Sequence, residues 1–125
     1  MSPPRIFSDA DLVDAYIIAS GVSNDDSCRW AAEEMMAMPY QDPERAWRII
    51  LEVIERDPPM WVLSVLGAGP MEDLLRAHGL DFIDRVEQEA VGNPSFFNNV
   101  LARVYPIACQ PKLVADRIKA LYGKT

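Results

Sequence analysis

Apolar positions recur along this chain at helical spacing almost from its start, and the breaks between runs carry helix start and stop residues. Ser8, with Asp11 three residues on, reads as a capped start. Leu12, Val13, Tyr16 and Ile17 then form one stripe, and Gly21 offers a stop. A polar turn, Val22 to Asp26, leads into a second run that ends before Pro39, with Cys28, Ala31, Ala32, Met35 and Met38 as its apolar members. Asp42-Pro43 joins an N-cap to a proline at the first helical position. From there Ala46, Ile49, Ile50, Val53 and Ile54 mark one buried face, widened by Trp47 and Leu51. Glu44–Arg48 and Glu52–Arg56 are spaced for ion pairs along that helix, each worth roughly 0.2–0.5 kcal/mol. Asp57-Pro58-Pro59 ends it, because the residue before a proline avoids the α region.

The second half is punctuated in the same way. Met60 to Leu66 reads as a buried helix of about two turns, and Gly67-Ala68-Gly69 as a break. Pro70 opens the next helix, where Met71, Leu74, Leu75 and His78 share a face and Gly79 stands as a C′ residue. Phe82, Ile83, Val86 and Ala90 continue on one side. Asn93-Pro94 repeats the cap-plus-proline device before Phe96, Phe97, Val100, Leu101 and Val104, and Pro106 ends that run. Gln110-Pro111 starts a last helix with Leu113, Val114, Ile118 and Leu121 inward. Nothing alternates in the manner of a strand between hairpin turns. The expected fold is therefore all-α: a single helical domain over residues 1–125, with about seven to eight short helices in a two-layer bundle or a HEAT-like stack of helix pairs. The helix starts follow no fixed period, so no true repeat is expected.

Composition supports a packed globule. Hydrophobic residues are 50% and charged residues 25% of the 125, a balance that a disordered chain does not have. The two cysteines, Cys28 and Cys109, read as small buried hydrophobes in a reducing compartment. The N-terminal residues lack an apolar signal core, and acids arrive by Asp9 and Asp11. The most apolar stretch, Met60 to Gly69, is about half the roughly 20 residues a membrane span needs. The expectation is a cytoplasmic protein with no membrane partner.

Charge sharpens this. With 12 basic and 19 acidic side chains the net charge is −7, which excludes nucleic-acid binding over the whole surface and a polybasic lipid anchor. The acids are unevenly placed: Ser8 to Glu44 holds nine against one base, Arg29, whereas Asn98 to Thr125 holds five bases and one acid. Some have local duties, with Asp9 and Asp11 near the first helix start and Asp25 and Asp26 near the second. Glu33 is spaced to pair with Arg29. The remainder make an electronegative surface suited to a basic partner. Trp30, Met36 and Tyr40 lie in the same stretch, and adaptable Met beside Trp or Tyr is how interaction patches are made. The candidate interaction surface is thus Asp14, Asp26, Trp30, Glu33, Glu34, Met36 and Tyr40.

Catalytic chemistry has one place to sit, the segment Gly69-Pro70-Met71-Glu72-Asp73 with His78 and Gly79. On a regular helix, Glu72 and His78 lie about 240° apart and Asp73 and His78 about 140°, which opposes convergence. First-turn carboxylates and a last-turn histidine also suit the helix dipole. The Gly67-Ala-Gly-Pro turn lacks the Lys-Ser/Thr of a phosphate loop, and a close helix crossing explains its glycines. No nucleophile elbow and no metal-ligand spacing is present, so no catalytic, metal or cofactor-binding residue is expected, and no cofactor.

The run Gly67-Ala-Gly-Pro-Met-Glu-Asp-Leu-Leu-Arg-Ala-His-Gly79 has a wider pattern around it. With Asp42-Pro-Glu-Arg-Ala-Trp47 and Phe82-Ile-Asp-Arg-Val-Glu87 it resembles a family of small bacterial proteins of unknown function, whose pattern reads A-G-P-L-E-D-L-L-x-x-H-G, then F-I-D-R-I-E, then a D-P-x-F block closing near Val-Trp. This chain departs from it at Met71, at Asn93-Pro94 and at Tyr105. The resemblance covers about residues 40 to 105, implies a helical bacterial protein and brings no activity with it. It marks Gly69, Pro70, Glu72, Asp73, His78 and Gly79 as family-motif residues.

Small size, acidity and the lack of catalytic spacing favour a non-enzymatic protein-interaction module. One form of it is an immunity- or antagonist-type protein that covers a basic partner. Two alternatives stand beside it. One is a small-ligand binder or enzyme centred on Gly69, Glu72, Asp73 and His78. The other is a homo-oligomer that buries an apolar helix face near Trp61 between copies.

Overall fold

The computed structural model describes residues 7–21 and 26–123. Among them are six α-helices: α1 (Asp9–Ala19), α2 (Arg29–Gln41), α3 (Pro43–Glu55), α4 (Met60–Leu66), α5 (Glu72–Gly92) and α6 (Lys112–Leu121). Short 3-10 and π turns join them, and no strand occurs among the described residues. The fold is all-α. Of the turn expected at Val22 to Asp26, residues 22–25 lie outside the described residues, as does the capping role of Asp25.

The starts are set by caps read directly from sequence. The Ser8 hydroxyl accepts from the Asp11 N–H at 3.0 Å while the Ser8 N–H donates to the Asp11 carboxylate at 3.3 Å, a reciprocal capping box. Asp42 caps α3 by accepting from the Arg45 N–H, and Asn93 accepts from the Phe96 N–H. Asp26 only opens the 3-10 turn Asp26–Cys28, and α2 begins without a side-chain cap.

Not every expected stop occurs. α2 runs through Pro39 to Gln41; the proline sits one turn from the end, so little helix remains to be disrupted. Gly67-Ala-Gly-Pro is not a break. Residues Gly67–Met71 form a π-helical turn that carries α4 directly into α5, the wider turn accommodating the missing N–H of Pro70. The stop expected before Gly79 does occur as a kink: at His78 (φ −137°, ψ 34°) the backbone leaves helical geometry, so α5 is two helical segments joined there. Counting the kinked α5 as one helix gives six α-helices among the described residues.

The core is one contiguous cluster among the described residues. α1 supplies Leu12, Val13 and Tyr16, α3 supplies Ile49, Ile50 and Val53, and α5 supplies Leu74, Leu75, Phe82 and Ile83. α1, α2 and α3 pack on one another, α2 and α3 also meet α5, and α5 meets α6. Because α2 reaches across to α5, the packing is not a stack in which each helix pair meets only its neighbours. α6 turns Val114, Ala115 and Ile118 inward but leaves Leu113, expected inside, exposed at the edge of that face.

The ion pairs also differ from expectation. Glu44 does not pair along α3 with Arg48. It takes both guanidinium nitrogens of Arg85 on α5, at 2.8 and 2.7 Å. Arg45 and Arg48 both reach Asp9 on α1, and Arg56 reaches Asp14. The charges of α3 therefore tie it to α1 and α5 in place of the within-helix pairs. No helix among the described residues is long and apolar enough to cross a membrane.

Candidate functional site

On α2 the buried side is Ala31, Met35, Met38 and Pro39. A helix repeats every 3.6 residues, so Glu33, Met36 and Tyr40 line up on the opposite side. Met36 is 70% exposed and Tyr40 48%. Glu34 and Trp30 lie on the flank between, both half-buried. Trp30 is turned toward Phe7, with ring centroids 4.6 Å apart, so its ring is partly spent on packing.

The acids of this region divide by duty. Asp14 is claimed by Arg56 and Asp9 by Arg45 and Arg48, while Glu44 holds Arg85. Asp11 and Asp42 cap helices. Asp26, Glu33 and Glu34 make no ion pair with any described residue, and the Arg29–Glu33 pair expected from spacing is not formed. Within Ser8 to Glu44 the acids without an ion pair or a capping bond are thus those on α2 and the turn before it, beside Met36 and Tyr40; Glu52, Glu55 and Asp57, at the far end of α3, likewise make no ion pair with a described residue.

The family-motif segment is built differently. Glu72, on the first turn of α5, accepts the Tyr105 N–H at 2.7 Å with one oxygen and Arg76 at 3.2 Å with the other. Asp73 accepts from Arg76 at 3.0 Å. His78 makes no hydrogen bond or ion pair with either carboxylate, and it sits where α5 kinks. That kink frees the Leu75 carbonyl, which accepts the Gln110 N–H at 3.4 Å. Gly79 is buried there without left-handed geometry; a Cβ on it would meet the Gln110 carbonyl at 2.5 Å and Val114 at 2.9 Å. Gly79 is therefore a close-contact residue and not the expected C′ cap. A Cβ on Gly67 would lie 2.1 Å from the Val100 carbonyl, whereas Gly69 faces open space. Pro70 is buried. Together Gly67, Glu72 and Gly79 form the seam on which residues 100–111 dock.

Two residues outside the sequence-based candidate set join these regions. Arg76 binds Glu72 and Asp73, and the Tyr40 hydroxyl approaches its guanidinium; this contact, ahead of the Asp73 and Glu72 charges, raises the Arg76 pKa. Its spacing from Glu72 and Asp73, i+4 and i+3, is the signal that could have found it. Gly67 was legible only as one of two glycines in a turn. Tyr105, whose backbone Glu72 holds, leaves its ring exposed on the surface.

Cys109 lies behind the seam, with its thiol pushed up to about 11 by burial and, to a lesser extent, by the negative charge of Glu72. No group of three or more His, Cys, Asp or Glu among the described residues can hold a metal ion.

Residues 19–125 match the Family of unknown function (DUF6869), and the chain belongs to that family. No curated protein and no solved structure matches the chain.

Proposed function

We propose that this family member is a non-enzymatic protein-interaction module whose recognition surface is the outward side of α2, and that its partner is basic. The observation that carries the reading is the coincidence of uncommitted acids with exposed apolar side chains: Asp26, Glu33 and Glu34 beside Met36 and Tyr40. An apolar centre with charge around it is the usual composition of a binding patch, and the charge steers encounter. A small antagonist that covers a basic protein is the form this takes most directly. The setting proposed is a reducing cytoplasm, supported by two free cysteines. Capture from native-host lysate at low salt should retain a basic protein that is released as salt rises. Recovery of a partner indifferent to salt, or of none, would count against the reading.

A second reading, self-association, is supported by Met60, Trp61 and Val65 on α4, each about half exposed, with Ile18 exposed on α1. Trp61 lies over the end of α1, where a Cβ on Gly21 would come within 3.7 Å of its indole nitrogen. Sedimentation across a wide concentration range tests this, and a monomer throughout removes it. An enzyme centred on Glu72, Asp73 and His78 has less support, because the carboxylates already serve Arg76 and the Tyr105 backbone.

A further inference from the structure

α6 and residues 101–106 line a groove of about 200 Å³. Its floor is Leu101, Val104 and Ile118, each almost wholly buried. Tyr122 forms a wall. The ring stacks on Phe97 with centroids 4.3 Å apart, and the hydroxyl donates to the Phe97 carbonyl at 2.5 Å, so it is both fixed and already satisfied. Burial pushes the Tyr122 hydroxyl up to about 12, so the wall carries no negative charge at neutral pH.

Among the described lining residues one is basic, Lys119. Its ammonium pairs with no described acid; the nearest acid on its own helix turn, Asp116, is taken by Lys112 at 2.8 Å. Among the described residues no acidic side chain lines the groove. An apolar floor, an aromatic wall and a single unpaired cation are complementary to a molecule with an apolar body and one negative charge. A phosphate would need more donors than one ammonium supplies. A 150 Å³ apolar cavity accepts benzene, so a space of this size suits about eight non-hydrogen atoms.

We propose that this groove is a binding site for a small apolar monocarboxylate, with its hydrocarbon on Leu101, Val104 and Ile118 and its carboxylate at Lys119. The site is separate from α2 and does not depend on the protein-interaction reading.

The test is a titration of the full chain, isotope-labelled, with hexanoate and with its neutral analogue hexanamide, followed by NMR at low salt. Hexanoate should give saturable shifts centred on Val104, Ile118, Lys119 and Tyr122, and should bind at least about threefold more tightly than hexanamide, the size of effect one rim ion pair gives. Lys119→Met keeps the apolar stem and should abolish that preference. Ala102→Phe changes an exposed lining residue and should block both ligands by filling the groove while the spectrum stays dispersed. The proposal is overturned if hexanoate gives no saturable shifts, if hexanamide binds equally well, if the preference survives Lys119→Met, or if Ala102→Phe leaves binding intact.

Discussion

Tyr16 is 3% exposed on α1, and its hydroxyl is buried without a hydrogen-bond partner of good geometry. Burial pushes it up to about 12, with Ser20 offsetting a lesser part. The folded pKa is raised above the unfolded one, so this contribution to stability is whole below pH 10 and is lost as pH rises from 10 to about 12. Cys109, raised to about 11, adds a similar loss that begins near pH 9. For Tyr16 the shift corresponds to about 2–3 kcal/mol at most. Urea titrations should show stability falling steeply above pH 9, and Tyr16→Phe should reduce the part above pH 10, leaving the share of Tyr122. At pH 7 the same variant should cost less than about 1 kcal/mol, because no good hydrogen bond is lost. An unchanged alkaline limb would show that the phenol is not the group responsible. Burial also orders the thiols: iodoacetamide at pH 7.5 should modify half-buried Cys28 first and 2%-exposed Cys109 only as the chain unfolds. Mass spectrometry of peptides checks this, and early labelling of Cys109 would contradict it. The apolar residues read as core were legible where period places them. Leu113, however, sits one position outside the face that Val114 and Ile118 bury; α4, read as buried, leaves Met60, Trp61 and Val65 about half exposed, and Cys28 is only half-buried.

Among elements, caps were more legible than breaks. Ser8, Asp42 and Asn93 make local bonds that depend only on their own neighbours. Whether Gly67-Ala-Gly-Pro breaks a helix depends on what packs against it, and the partner, Val100, is 33 residues away. The two glycines separate on this ground. Gly67→Ala should lower stability by roughly 1–3 kcal/mol, since its Cβ would collide with the Val100 backbone. Gly69→Ala meets nothing and should be neutral or stabilising by up to about 1 kcal/mol. Thermal melts of the two variants should move apart; equal melting temperatures would contradict the seam. The same distance dependence explains the ion pairs of α3. Spacing along one helix suggested Glu44–Arg48, yet Arg85, 41 residues on, presents both guanidinium nitrogens to Glu44.

For the whole molecule, the acids of the first half are of two kinds. Asp9, Asp14 and Glu44 hold helices together, whereas Asp26, Glu33 and Glu34 hold nothing among the described residues. The sequence located the negative charge in the first half, but only tertiary contacts divide it. That division removes Asp14 from the proposed recognition surface and narrows the proposal to α2 and the turn before it. Of the motif residues, Glu72 and Gly79 join Gly67 in the docking seam for residues 100–111, and Asp73 supports it through Arg76. The decisive measurement compares the affinity of the captured basic partner for two double variants, each verified as folded by circular dichroism. Glu33→Lys with Met36→Asp should weaken binding at least about tenfold, as loss of a central apolar contact with charge reversal does. Glu72→Gln with His78→Asn should leave affinity unchanged. Binding that survives the α2 variant and fails in the motif variant would contradict the account.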